Sequence, residues 1–140
     1  MGNTSKRRLV IISIMAAIAA IHIFRLGSTL DGALFDLYYG YFSDLIMPFA
    51  GYFLLCAAEG QFPFLRQWQV KAAIAFLAPA IAETCQYFGI PVLGSTFDGF
   101  DYLAYALGVA IAVLLDRQIF SRYLNFWNIE KGEKQGIPIS

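Results

Sequence analysis

The feature that most constrains this chain is a series of apolar runs that, with their flanks, are long enough to cross a membrane. A spanning helix needs about 20 predominantly apolar residues. Four such runs lie at about 9–24, 37–58, 72–88 and 100–115. Only 14% of the 140 residues are charged, whereas a soluble domain carries about 25% charged residues. The sequence therefore predicts an all-α fold, an integral membrane four-helix up-down bundle.

The positions of the Lys and Arg side chains predict the orientation. Of these 10 residues, only Arg25 lies on the opposite side from the others if the chain crosses the membrane four times. Cytoplasmic loops carry an excess of Lys and Arg, so both termini are expected in the cytoplasm. The prediction is a multi-pass protein of the plasma membrane. It has a cytoplasmic N-terminal segment (1–8), a transmembrane domain (9–116) and a cytoplasmic polar tail (117–140).

The first apolar run has a second interpretation. Residues 1–8 end in three basic residues, and the apolar run behind them contains Ala17, Ile18 and Ala19. This combination is also typical of a cleaved signal peptide. The apolar character continues past the candidate cleavage site, where a mature soluble domain would begin. The spanning helix is therefore the preferred interpretation, and the cleaved leader is its alternative.

Net charge and motifs argue against several classes of protein. The formal net charge is zero at pH 7, so the chain lacks the basic excess of a nucleic-acid-binding protein. The sequence has no His, Cys and Asp cluster at metal-ligand spacing and no Gly-rich phosphate loop, so neither a metal nor a cofactor is predicted. The predicted topology puts Cys56 and Cys85 near opposite membrane faces, too far apart for a disulfide.

Acidic residues are the strongest functional candidates. In an up-down bundle, the start of the second helix, the end of the third and the start of the fourth lie at one membrane face, here the outer one. Acidic side chains inside a bilayer are costly and usually functional. We therefore expect an outward-facing acidic pocket that binds a polar or cationic head group. Its predicted ligand-binding residues are Asp44, Glu83, Gln86, Asp98 and Asp101.

Two structural roles compete with ligand binding for these acids. Asp98 and Asp101 are both candidates to cap the fourth helix, because a carboxylate before a helix accepts hydrogen bonds from first-turn amides. Asp44 and Glu83 are candidates for an ordinary buried ion pair with Arg25. Both roles are tested by the neighbours that each carboxylate has in the folded chain.

The acids form a pattern along the sequence. Glu83 and Gln86 stand three residues apart, and they are followed by Asp98 and Asp101 at the same spacing. Tyr105 and Gly108 come next on the predicted fourth helix, and the run from Asp44 to Leu55 precedes the pattern. Over about residues 40–115, this arrangement resembles the VanZ-like family of small bacterial membrane proteins.

The chain resembles a divergent member of that family. Ser95, Pro48 and Tyr105 stand where the family usually has Arg, His and Asn. The resemblance implies a multi-pass cell-membrane protein of the bacterial envelope, in the context of resistance to glycopeptide antibiotics of the teicoplanin type. An envelope lipid or a glycopeptide head group would then be the partner of the acidic pocket.

Two further functions stay open at this stage. A membrane enzyme would use Glu83 and Asp101 as an acid and base pair on a lipid-linked substrate, since positioned carboxyl groups suit general acid and base chemistry. A small ion-coupled transporter would use the same acids as a proton relay. Four short spans enclose a narrow pathway, so a transporter would require a homo-oligomer formed through the small-residue stripe at Gly108.

Overall fold

The computed structural model describes residues 2–90, 92 and 98–128, apart from the side chain of Leu26. The described residues form helices and connections with no strand, which confirms the all-α prediction. Ser95, one of the positions compared with the VanZ-like family, and the polar run 132–136 of the predicted tail lie outside the described residues. The long helices are α1 (Asn3–Ile23), α2 (Ala33–Ala58), α3 (Trp68–Tyr87) and α4 (Asp101–Leu114). Helix α4 continues through a π-helical segment (Leu115–Phe120) into the single turn α5 (Ser121–Tyr123).

Pairs of side chains at the helix ends show that consecutive helices run in opposite directions. Arg7 Nη2 near the start of α1 lies 2.7 Å from Glu59 Oε2, which follows the end of α2. Lys71 near the start of α3 also pairs with Glu59. At the other end, the Thr84 hydroxyl in the last turn of α3 lies 2.8 Å from the Tyr102 hydroxyl in the first turn of α4. The four helices therefore alternate up, down, up and down.

Helices α2 and α4 run parallel and make the closest contact in the bundle. Gly108 allows it, because a Cβ atom there would lie 2.0 Å from the Leu45 carbonyl oxygen and 3.0 Å from Pro48 Cγ. Tyr105 and Ala112 on the same face of α4 are buried as well. The small-residue stripe is therefore occupied within the chain, and a dimer through it would have to displace α2.

The start of α1 differs from the prediction. Residues 3–8, predicted as a segment that precedes the first helix, form its first turns, and Arg7 within them is buried. Lys and Arg are good helix formers, so the basic residues continue the helix towards the N-terminus. Helices α2 and α3 likewise begin four residues before the apolar runs at 37 and 72 that predict them.

The C-terminal part of the described chain also differs from the prediction. Residues 117–123 continue the fourth helix, where a polar tail is predicted. Trp127, within the predicted polar tail, is only 1% exposed and packs against Phe53 and Phe120. Its indole N–H donates a hydrogen bond to Asp116, which turns the chain back onto the bundle. The apolar core of the protein therefore includes a residue that sequence polarity assigns to the tail.

Candidate functional site

The predicted acidic residues come from three helices and meet at one end of the bundle. Asp44 lies on α2, Glu83 near the end of α3, and Asp98 and Asp101 at the start of α4. The backbone N–H of Asp98 donates to Glu83 Oε1 over 3.1 Å. The Tyr41 hydroxyl of α2 donates to Asp98 Oδ2 over 3.3 Å. We call these four carboxylates the acidic cluster.

Two carboxyl groups in the acidic cluster touch each other. The side chains of Asp44 and Asp101 are in hydrogen-bond contact. Two carboxylate anions repel each other, so this contact favours a proton or a cation between the oxygens. Glu83 is 5% exposed and has the Tyr105 hydroxyl as a hydrogen-bond partner. Glu83 is thus shielded from bulk water, whereas Asp44, Asp98 and Asp101 are half-buried.

The structure distinguishes the alternative roles predicted for these acids. Asp98 supports the turn into α4, because its Oδ1 accepts the N–H of Phe100 over 3.0 Å and its carbonyl oxygen accepts the N–H of Asp101. Its second carboxylate oxygen still faces Tyr41. Asp101 is the first residue of α4, which begins after Phe100 without a side-chain cap, and the Asp101 side chain interacts with Asp44.

Arg25 does not neutralise the cluster. It is exposed at the end of α1, and none of the ion pairs among described residues joins a Lys or Arg to Asp44, Glu83, Asp98 or Asp101. The predicted pairing of Arg25 with Asp44 or Glu83 is therefore wrong. Gln86 is half-buried one turn after Glu83 on α3.

An apolar groove adjoins the acidic cluster. It has a volume of about 470 Å³ and lies between the first half of α2 and the start of α4. Leu34, Tyr38, Leu103 and Leu107 are among its lining residues. Tyr41 belongs to both features, since its ring lines the groove and its hydroxyl donates to Asp98.

A second charged cluster lies at the opposite end of the bundle, and sequence reasoning missed it. Arg7 and Lys71 both pair with Glu59, and Lys71 Nζ lies 3.3 Å from Asp116 Oδ2. All four side chains are buried, with Lys71 at 3% exposure and Arg7 at 5%. Buried charges of this kind require close partners because their transfer from water is costly. We call this alternating set of two cations and two anions the buried ion cluster.

Asp116 links the buried ion cluster to the aromatic core. The Tyr52 hydroxyl donates to Asp116 Oδ2 over 2.6 Å, and Trp127 Nε1 donates to Asp116 Oδ1. Asp116 belongs to the π-helical segment, a geometry that occurs mostly as local bulges at functional sites. In an up-down bundle, the end of α2, the start of α3 and the end of α4 also lie at one face. The sequence positions of Glu59, Lys71 and Asp116 therefore already indicate that these three residues lie close together.

Other site chemistry is limited in the described part of the chain. Cys56 and Cys85 are free thiols, and Cys56 Sγ accepts a hydrogen bond from Lys71 Nζ over 3.3 Å. Among the described residues, no group of His, Cys, Asp and Glu is arranged to hold a metal ion. The acidic cluster therefore differs from a preformed metal centre.

These observations define an all-helical protein with two helices that are long and apolar enough to cross a membrane, Ala33–Ala58 and Asp101–Tyr123. Comparison with protein-family models, with curated proteins and with solved structures finds no match for the chain. The resemblance to the VanZ-like family is therefore still a prediction from residues 40–115.

Proposed function

We propose that this chain is a multi-pass membrane protein whose outward-facing acidic cluster binds the cationic head group of an amphiphile from the cell envelope. The proposal has two parts, the insertion of all four long helices and the binding of a cation. The first part is supported by α2 and by the helix 101–123, which have the length and composition of spanning helices.

Helix α3 supports a four-span arrangement through its neighbours. Its ends are level with those of α2 and α4, since Lys71 reaches Glu59 and Asp116 while Glu83 reaches Asp98. A helix of 20 residues is about 30 Å long, which matches the hydrocarbon core of a bilayer. Both of its charged residues point into the bundle, so lipid would meet an uncharged surface.

Exposed apolar side chains on every long helix also support a lipid environment. Ile12, Leu54, Ile81 and Leu107 come from four different helices, and each is more than half exposed. Soluble monomers rarely expose apolar surface so widely. Lipid chains would cover these side chains, and the distribution of Lys and Arg then favours cytoplasmic termini.

The observation that carries the binding proposal is the convergence of four carboxylates with no Lys or Arg pairing among the described residues. An ammonium or guanidinium group inserted between Asp44 and Asp101 would relieve their repulsion and gain charge-assisted hydrogen bonds. The apolar groove beside Tyr41 would take the hydrocarbon part of the same molecule. The resemblance to VanZ-like proteins supports an envelope lipid or a glycopeptide antibiotic as the source of the head group.

Binding of a long-chain alkylammonium ion tests the proposal. We expect dodecylammonium to bind the purified protein in uncharged detergent, with dodecanol as the uncharged control probe. The double variant Asp44→Asn with Glu83→Gln removes two charges with little change in shape, and we expect at least about tenfold weaker binding, which corresponds to about 1.4 kcal/mol. Asp36→Asn is the matched control, because Asp36 is an exposed acid in the first turn of the same helix. Wild-type affinity in the double variant would reject the proposal.

A membrane enzyme is the second candidate function, favoured by the contact between Asp44 and Asp101. Two carboxyl groups that share a proton can donate and accept it in one reaction. The pair differs from the predicted combination of Glu83 and Asp101. Mass spectrometry of lipid extracts from cells with and without the protein tests this function, which requires a modified lipid that disappears in the Asp101→Asn variant.

A further inference from the structure

A cavity opens beside the buried ion cluster at the end of the bundle that carries most of the Lys and Arg residues. Its volume is about 240 Å³. The lining comprises four cations, two carboxylates and several uncharged polar or aromatic side chains, with Ser121 and Asn128 among them. Pockets for drug-sized ligands are usually larger, at about 300–1,000 Å³. The dimensions therefore suit a small ion or a head group.

Among the described residues, more cations than carboxylates line the cavity. Its cations are Arg7, Arg66, Lys71 and Arg117, and its two carboxylates are Glu59 and Asp116. Both carboxylates are already engaged within the protein. Glu59 pairs with Arg7 and Lys71, and Asp116 accepts hydrogen bonds from Tyr52, Trp127 and Lys71. Both carboxylates of the described lining are therefore engaged within the protein, chiefly with Arg7 and Lys71.

Two arginines in the lining retain unused capacity for an anion. Arg7 is only 5% exposed. Its Nε nevertheless has no hydrogen-bond partner in the described part of the chain. A buried donor without a partner costs about 1–3 kcal/mol, so an acceptor is expected nearby. Arg117 lies over the Trp68 ring at 5.3 Å and forms no ion pair with any described carboxylate.

From this arrangement we propose that the cavity is a binding site for a phosphate monoester group. The guanidinium fork matches the oxygens of a phosphate and donates two parallel hydrogen bonds. Lys71 adds a compact positive charge beside the guanidinium groups. The Ser121 hydroxyl already donates to Asn128 Oδ1 over 3.2 Å, so Arg7 and Arg117 are the donors available to the phosphate. A phosphate monoester offers three acceptor oxygens to these donors, whereas a carboxylate offers two.

The phosphate has two possible sources with the same chemistry, a soluble phosphate compound and the head group of a lipid such as phosphatidic acid. This site lies at the opposite end of the bundle from the acidic cluster and shares no residue with it. The proposal goes beyond the binding of a cationic head group, and neither depends on the other.

Thermal unfolding of the purified full chain in an uncharged maltoside detergent tests the site. A ligand that binds only the folded state raises the unfolding midpoint in a concentration-dependent way. One arm adds inorganic phosphate, with chloride at the same ionic strength as its control. The other arm adds short-chain phosphatidic acid, with phosphatidylcholine of the same chain length as its control.

Variants on one helix identify the site. Arg117→Gln removes an exposed cation from the cavity without breaking the buried ion cluster, and we expect its apparent affinity for phosphate to fall about tenfold. Arg122→Gln is the matched control, because Arg122 is an exposed cation on the same continuous helix that does not line the cavity. Its affinity should equal that of the wild type.

Each outcome has a defined meaning. A midpoint shift with inorganic phosphate that Arg117→Gln weakens supports a site for soluble phosphate compounds. A shift with phosphatidic acid alone, weakened by the same variant, supports a lipid head group as the ligand. The proposal is overturned if neither probe shifts the midpoint beyond its control, or if Arg117→Gln and Arg122→Gln behave alike.

Discussion

The Arg7 guanidinium of α1 and the Glu59 carboxylate after α2 form a buried ion pair, with 2.7 Å between Nη2 and Oε2. The pair matters because α1 is attached to the bundle by few buried side chains. Arg7 and Ile11 are its buried residues, and α2 is the long helix against which it packs. The Arg7–Glu59 pair is therefore one of the few buried contacts that attach the start of α1 to the bundle.

Loss of the Arg7 charge should destabilise the protein. Arg7→Gln leaves Glu59 buried with Lys71 as its remaining cation, and removal of one partner from a buried pair costs about 3–5 kcal/mol. The thermal unfolding midpoint in detergent should therefore fall clearly. Arg8→Gln removes a charge from the adjacent, exposed residue and should leave the midpoint within error. Equal effects of the two substitutions would contradict a specific role for the buried pair.

Removal of one hydroxyl should weaken the support of Asp116. Tyr52→Phe keeps the buried ring but deletes the donor that lies 2.6 Å from Asp116 Oδ2. A buried carboxylate that loses a hydrogen bond typically costs about 1–3 kcal/mol in stability, measured here by denaturant titration in micelles. Tyr123→Phe is the comparison, because Tyr123 is 78% exposed. A neutral Tyr52→Phe variant would mean that water or Lys71 replaces the lost donor.

The contact between α2 and α4 should not tolerate a larger residue at position 108. Gly108→Ala inserts a methyl group where the Leu45 carbonyl oxygen would be 2.0 Å away, so the helices must separate, at a cost of about 1–3 kcal/mol. Gly51→Ala, on α2, meets no atom within 4 Å and should be neutral or slightly stabilising because Ala favours helix. The unfolding midpoint should thus fall for Gly108→Ala, whereas for Gly51→Ala it should stay unchanged or rise slightly.

The proposed four-span topology predicts which positions face which side of the membrane. In a background with both native cysteines replaced by Ala, Ser28→Cys and Phe88→Cys should react with a membrane-impermeant maleimide in intact cells. Phe62→Cys, in the connection between α2 and α3, should react only after the membrane is opened. All three positions are exposed in the fold, so access depends on the membrane alone. Labelling of Ser28→Cys and Phe88→Cys from different sides would exclude this topology.

The meeting of the acidic residues could be predicted because it depends only on helix direction. Once the chain is read as four alternating helices, Asp44, Glu83 and Asp101 must lie at one end, and the structure brings them together there. Their individual partners could not be predicted in the same way. Contact between Asp44 and Asp101 depends on how far α2 and α4 approach, which is set by Gly108 and the Leu45 backbone.

The buried ion cluster escaped prediction because local polarity is a poor guide at helix ends. Glu59 and Lys71 flank a connection that contains Gly and Pro, and such charges usually lie in water. Asp116 follows an apolar run, where hydropathy predicts the end of a span. Their burial depends on one another and on Trp127, which is 11 residues away from Asp116. The π-helical segment that carries Asp116 has no signature in the apolar periodicity.

The spacing of the two charged clusters along the helices limits how deep they can lie. Fifteen positions separate Asp44 from Glu59, the residue directly after α2, and the same number separate Asp101 from Asp116, which corresponds to about 22 Å of helix in each case. In the proposed topology this distance is shorter than the hydrocarbon core of about 30 Å. At least one of the two clusters must then lie below the plane of the lipid head groups, so a pair of sites spaced in this way would favour membranes that thin easily around a protein.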